Sequence, residues 1–231
     1  MIIICNGAFK SGSSWLMNIV RQLTNPVPIE AEWRNPKWSN PSIAPEKLEG
    51  FIKAHDELEG QFVSKNHLAS PADRKVLLDS GHRNVFVLNI TRDIRDVVVS
   101  AYYHAVRVEE YTGSFEAFFK ERGANVAKRV SSYNELWSAK NDRLYVASYE
   151  RLQLDGVREI SAVSEFLQLG TDPERVREVY EKTRFDAWKE RTGSPHMRKG
   201  VIGDWKNHLT AEDVERLRAK VPAWAFAPEA D

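Results

Sequence analysis

Cysteine is almost missing from the 231-residue chain, which has Cys5 and no other. No internal disulfide can form, so a small disulfide-built scaffold is excluded, and a thiol inside the apolar run "IIIC" reads as buried and inert. An excess of one charge sign is missing as well: 33 basic residues face 33 acidic ones. Bulk charge therefore gives no sign of nucleic acid or of an anionic membrane as partner, and any anion site has to be local. No apolar stretch approaches the roughly 20 residues of a membrane span. The opening "MIIIC" lacks the basic leader and the long apolar core of a secretion signal. Low-complexity tracts and internal repeats are not found either. The chain reads as one soluble, cytoplasmic domain over residues 1–231, long enough for a substantial core.

What is present is a strand-to-helix grammar. Ile2 to Cys5 is β-branched and apolar, Gly7 follows, and then Trp15, Leu16, Ile19, Val20 and Leu23 recur at helical spacing. The same order returns at Asn84 to Asp93, a continuous apolar run of the kind found in a fully covered parallel strand, followed by the helical pattern "IRDVVVSAYYHAV". Shorter strands are expected at Gly50 to His55 and at Arg143 to Tyr149. Helices are expected around Ala72 to Gly81, Ser114 to Lys120, Ala127 to Ala139, Val157 to Leu169 and Pro173 to Lys182. The alternation predicts an α/β fold, a central parallel sheet flanked by helices. Asn25 to Pro45, with five prolines and two tryptophans, is too punctuated for regular structure; a surface loop and a substrate-facing loop are equally compatible with it.

The first turn carries the chemistry. "NGAFKSGSSWL" keeps the glycine spacing of a Walker-type phosphate loop in Gly7 and Gly12 and its hydroxyl in Ser14. Ser13, however, stands where that loop has its lysine, and Lys10 comes three residues earlier. A strand that ends in a glycine turn and feeds a helix still delivers backbone N–H groups and the positive end of a helix dipole to one point. A kinase or ATPase would also need an acidic residue at a strand end for magnesium. The second long strand runs instead into Thr91-Arg92-Asp93, which favours a ligand neutralised by side chains.

"KSGSSWL" resembles the 5′-phosphosulfate loop of the cytosolic-type sulfotransferase family, commonly K-S-G-T-T-W-L. The resemblance recurs in "TRDIRDVVVSAYYH", where Arg92, Asp96 and Ser100 match the family's 3′-phosphate motif R-x-x-x-D-x-x-x-S. It is strongest in "RKGVIGDWKNHLT", Arg198 to Thr210, close to the family's closing segment R-K-G-x-x-G-D-W-K-N-H. It spans Asn6 to about Thr210. It implies 3′-phosphoadenosine 5′-phosphosulfate (PAPS) as cofactor, adenosine 3′,5′-bisphosphate (PAP) as its product, and no metal. The residues it assigns to the cofactor are Lys10, Ser11, Gly12, Ser13, Ser14, Trp15, Arg92, Ser100, Arg198, Lys199 and Gly200. "SYERL" resembles the family's Y-E-D-L element and offers Tyr149, while "KTRFDAW" resembles its T-S-F element and offers Thr183 and Phe185.

Sulfuryl transfer needs a base for the acceptor's proton and positive charge around the sulfuryl oxygens and the leaving phosphate. The family's base lies in a K-T-H segment after a strand. "FIKAHDEL" supplies Lys53 and His55 in that register, so His55 is expected as base, with Lys53 and Lys10 as catalytic cations. His67 and His82 lie in polar, loop-like contexts. Asp56-Glu57 stand where the family has L-P, which sets the acceptor side apart from that of enzymes taking phenols and steroids. The resemblance implies a small acceptor with a hydroxyl or amine. A P-loop kinase and a catalytically inactive PAP-binding protein are the alternatives. Lys206, Thr210 and Glu215 keep the spacing of the family's dimer motif, with Ala211 replacing its valine, which implies at most a weak homodimer.

Overall fold

The computed structural model describes residues 1–55, 57–192 and 199–227. Four strands, β1 (Ile2–Gly7), β2 (Phe62–Lys65), β3 (Val85–Thr91) and β4 (Leu144–Ser148), form one sheet in the order β2-β1-β3-β4. All pairings are parallel, with Ile2 opposite both Phe62 and Val85 and with Val87 opposite Leu144. This is the expected α/β architecture. The strand period of two divides β1 between two cores. Ile2 and Ile4 pack with Val85, Val87, Leu77 and Trp137 on one face, and Ile3 and Cys5 with Leu88, Ile90, Leu16 and Val163 on the other. Cys5 has no exposed surface, and burial pushes its thiol pKa up, as expected of an inert thiol.

Eleven α-helical segments among the described residues cover the sheet and its ends. The first four are α1 (Ser13–Thr24), α2 (Leu48–His55), α3 (Pro71–Leu78) and α4 (Ile94–Val108). Next come α5 (Phe115–Phe118), continued by a π turn into α6 (Ala124–Leu136), then α7 (Tyr149–Leu154) and α8 (Gly156–Phe166). The last three are α9 (Pro173–Thr183), α10 (Phe185–Thr192) and α11 (Ala211–Arg218). From β1 the chain moves outward to β2, then crosses back to β3 on the opposite side. The carboxyl ends of β1 and β3 therefore flank a topological switch point, where open α/β sheets collect ligands.

One expectation fails here. Gly50 to His55 is not a strand but the body of α2, because Leu48, Phe51, Ile52 and His55 recur at helical spacing and are its buried residues. The strand in this part of the chain is β2, about ten residues later. The Pro- and Trp-rich stretch contains two short 3-10 turns, Ala31–Trp33 and Pro45–Lys47, and an antiparallel bridge between Arg34 and Ile43. Among the described residues, no helix is long and apolar enough to cross a membrane.

Trp137, fully buried, donates from Nε1 to the Leu68 carbonyl at 2.9 Å. It ties the end of α6 to the chain leaving β2. Trp137→Ala is expected to cost about 3–5 kcal/mol of stability. Trp137→Phe, which keeps most of the packing and orphans the carbonyl, is expected to cost less. Urea midpoints at unchanged m-value test the order of the two variants.

Candidate active site

The turn between β1 and α1 is built for an anion. Gly12 adopts φ +102°, and a methyl there would approach the Tyr149 ring to 2.8 Å, so both conformation and space require glycine. It offers no side-chain cap to α1, whose first turn carries no acidic residue. The N-terminal N–H groups of α1 thus face the turn beside the helix dipole. Lys10 holds a left-handed backbone at φ 66°, a strained choice for a non-glycine residue. Its ammonium pKa falls to about 8, first through burial and then through the charges of Arg107, Arg92 and Lys65.

Arg92, just past β3, meets this turn from the neighbouring strand. Its Nη1 donates to the Lys10 carbonyl at 3.4 Å, and its guanidinium lies 4.1 Å above the Tyr149 ring. Trp15 meets Tyr149 edge-on at 5.4 Å. Ser11 Oγ, Trp15 Nε1 and Arg92 Nε are buried without a hydrogen-bond partner among the described residues. Buried polar groups are normally satisfied, so these orphans around one turn fit an anionic, hydrogen-bonding ligand such as a phosphosulfate nucleotide. Gly200 (φ +68°) lies so close to Phe185 that a methyl would fall 2.1 Å from the ring. Ser13 is buried, and Ser14 and Ser100 are half-buried. Thr183 is buried, and its hydroxyl donates to the Val179 carbonyl at 2.7 Å within α9. Lys199 pairs with Asp204 at 2.9 Å. Arg198 lies outside the described residues. Asp93, the carboxylate nearest the end of β3, is held by Arg95 at 2.7 Å and by the Ala227 N–H at 2.9 Å, so it is engaged away from the turn.

His55 and Lys53 do not belong to this site. The His55 ring stacks on Phe51 at 4.0 Å and meets Phe62 edge-on at 4.8 Å. Phe62 pairs with Ile2, the first residue of β1, whereas the Lys10 turn follows the last. Five residues of extended strand separate those levels by about 16 Å. Lys53 is exposed on α2 and pairs with Glu49 at 2.7 Å. The helical period of α2, not a strand period, sets both side chains.

Lys65 and His67, which the sequence reading passed over, occupy the position expected of the other pair. Lys65 ends β2, and Nζ lies 3.0 Å from His67 Nε2, while His67 Nδ1 lies 2.6 Å from the Gly7 carbonyl. A carbonyl only accepts, so Nδ1 carries the proton and donates, leaving the Nε2 lone pair to receive the Lys65 ammonium. Burial, then the charges of Lys65 and Lys10, lower the His67 pKa to about 4, although the bond to Gly7 opposes the shift. Burial lowers that of Lys65 to about 8. Lys65-Asn66-His67-Leu68 also follows the K-T-H-L start of the family segment, with Asn66 for the threonine and Ala69 in place of the proline. The signal was the Phe62-Val63 pair directly before it.

The Pro- and Trp-rich segment reaches the same place. Trp38 lies edge-on to His67 at 5.3 Å with Lys65 Nζ 4.8 Å above its ring. Asn66 and Ser64, on the opposite side of the strand from Lys65, fix the segment through Ile43: Asn66 donates to its carbonyl and Ser64 accepts from its N–H, both at 2.9 Å. Phe9, 42% exposed, meets His104 of α4 edge-on at 4.9 Å. In the Lys206–Glu215 segment, Thr210 caps α11 in a capping box and Glu215 pairs with Arg218.

The family profile described as "Sulfotransferase domain" matches residues 2–222. Rat sulfotransferase 1E1 is 29% identical over 243 residues, covering 90% of this chain and 78% of the relative. Rat sulfotransferase 1A1 is 27% identical over 235 residues, covering 91% and 79%. Among solved structures, mouse sulfotransferase SULT7A1 complexed with PAP aligns with a TM-score of 0.68 at 17% identity, over 95% of this chain and 84% of that one. Retinol dehydratase in complex with androsterone and PAP aligns with a TM-score of 0.70 at 19% identity, over 94% and 78%. These likenesses show the same fold.

An anion bound at the turn raises the pKa of Lys10 and Lys65 from about 8 toward the ordinary lysine range. PAP binding at about pH 8.5 is therefore expected to take up protons, and affinity to fall as pH rises past that value. Calorimetry in two buffers of different ionisation enthalpy tests it. Identical heats in both would show that neither lysine senses the ligand.

Proposed function

The chain belongs to the sulfotransferase family, and we propose that it moves a sulfuryl group from PAPS to the hydroxyl or amine of a small acceptor, with His67 as base. The observation that carries this reading is the alignment of His67 between Gly7, which opens the phosphate turn, and the buried cation Lys65.

Bound PAPS would supply the activated sulfuryl group on its phosphosulfate bridge. The rest follows from the protein. The turn at Ser11 to Ser14, Lys10 and the amino end of α1 fit the 5′-phosphosulfate, and Arg92 with Lys199 and Gly200 fits the 3′-phosphate end. Trp15, Tyr149 and Phe185 offer aromatic surface to the adenine. His67 Nε2 takes the acceptor proton as the new O–S or N–S bond forms and the bridging S–O bond to phosphate breaks. Lys65 bears on the sulfuryl oxygens, and Lys10 offsets the charge that grows on the departing phosphate, so that the protein supplies the positive charge itself. The His67 bond to Gly7 fixes the tautomer that leaves Nε2 as acceptor. Asp93 is already engaged with Arg95, which weighs against the kinase reading.

His67→Ala is expected to lose about 10² to 10⁴ in turnover while PAP still raises its thermal midpoint. His55→Gln should retain turnover, and EDTA should leave the wild type unchanged. At saturating cofactor, kcat/KM for an un-ionised acceptor should rise with pH through the His67 titration. That rise should be centred above the value of about 4 set by the free site, because the anionic cofactor favours the imidazolium. Normal turnover by His67→Ala would remove it from the mechanism.

A further inference from the structure

Asp96 lies on the first turn of α4, four residues after Arg92, and its side chain is buried. A carboxylate next to a phosphate site would repel the ligand unless its charge were directed elsewhere. Here it is: Oδ2 accepts the Gly203 N–H at 2.8 Å, and Oδ1 accepts the Trp205 N–H at 3.0 Å. Both donors belong to the segment that follows Lys199 and Gly200. Gly203, at φ +76°, turns the chain so that the two N–H groups converge on one side chain. The same segment is held by Gln153, whose Nε2 donates to the Gly200 carbonyl at 2.7 Å. Arg92 Nη2 lies 3.5 Å from the Val201 carbonyl. Asp204 gathers Lys199 at 2.9 Å and His208 at 3.3 Å.

We propose that Asp96 is a positioning residue for the cofactor's 3′-phosphate. It does not touch the phosphate. It docks residues 199–205 onto the start of α4, one helical turn from Arg92, so that the segment and the arginine form one anion site. This rests on the sulfotransferase reading above. Removing the carboxylate leaves two half-buried backbone N–H groups without their acceptor and frees the segment, while His67, Lys65 and Lys10 remain in place.

Two variants attack the contact from opposite sides. Asp96→Asn keeps the shape but only one accepting oxygen. Gly203→Ala meets nothing within 4 Å and perturbs only the left-handed backbone. Each is expected to weaken PAP binding by about tenfold, the worth of one charge-assisted hydrogen bond. Affinity for adenosine 5′-phosphate, which lacks the 3′-phosphate, should be unchanged, and kcat at saturating PAPS should stay within about threefold. In both free variants the Gly203 and Trp205 amides should exchange faster with deuterium than in the wild type, and PAP should slow them again. Equal losses for PAP and adenosine 5′-phosphate, or unchanged PAP affinity in both variants, would overturn the proposal. If wild-type protein bound no PAP and transferred no sulfuryl group, the functional reading would fail. Unchanged amide exchange in the variants would separately refute the docking contact.

Discussion

Repulsion among like charges governs the carboxyl edge of the sheet. Arg107, Arg92 and Lys65 all bear on the half-buried ammonium of Lys10. Such a cluster is unfavourable in the free protein, and the rigid elements of the sheet edge hold its members in place. β1, paired along its full length with β3, fixes the level of Lys10 against Arg92. β2, pinned to β1, brings in Lys65. A polyanionic ligand turns the repulsion into attraction, which is the electrostatic logic of a site that supplies its own positive charge. Asp93 could have neutralised the cluster, but it is bound into a separate buried network with Arg95, whose guanidinium lies 3.9 Å over the Trp205 ring.

Within β2 and its exit, structure and chemistry alternate residue by residue. Lys65 and His67 face the phosphate turn, whereas Ser64 and Asn66 hold the Pro- and Trp-rich segment through Ile43. The segment that carries Trp38 over Lys65 and His67 is thus fastened by the residues between them. Regular structure is not needed to make it precise, since both polar atoms of the Ile43 backbone are satisfied by strand side chains.

The sheet was legible where burial is local in sequence. β1 and β3 are continuous apolar runs followed by helical periods, and the phosphate turn is contiguous, so Lys10, Trp15 and Arg92 could be placed from their neighbours alone. β2 was hidden because half of it is polar: Ser64 and Lys65 are buried by partners from residues 41–43 and by the site, which no local pattern displays. The apolar "GFIK" drew the strand assignment to α2, although Leu48, Phe51, Ile52 and His55 already had a helical period. That drew the expected base to His55 instead of His67, the residue proposed above. The docking of the closing segment on Asp96 joins positions 107 and 109 residues apart and had no local sign.

The solitary thiol of Cys5 gives this protein a built-in reporter. It lies on a central strand, with no surface of its own, and burial keeps it protonated. A reagent that needs thiolate can reach it only when the strand comes out of the sheet. Fraying at α10, movement of the closing segment or opening of the Trp38 loop leaves it silent. Its modification rate would therefore measure how often the whole sheet opens, separately from any local motion at the site.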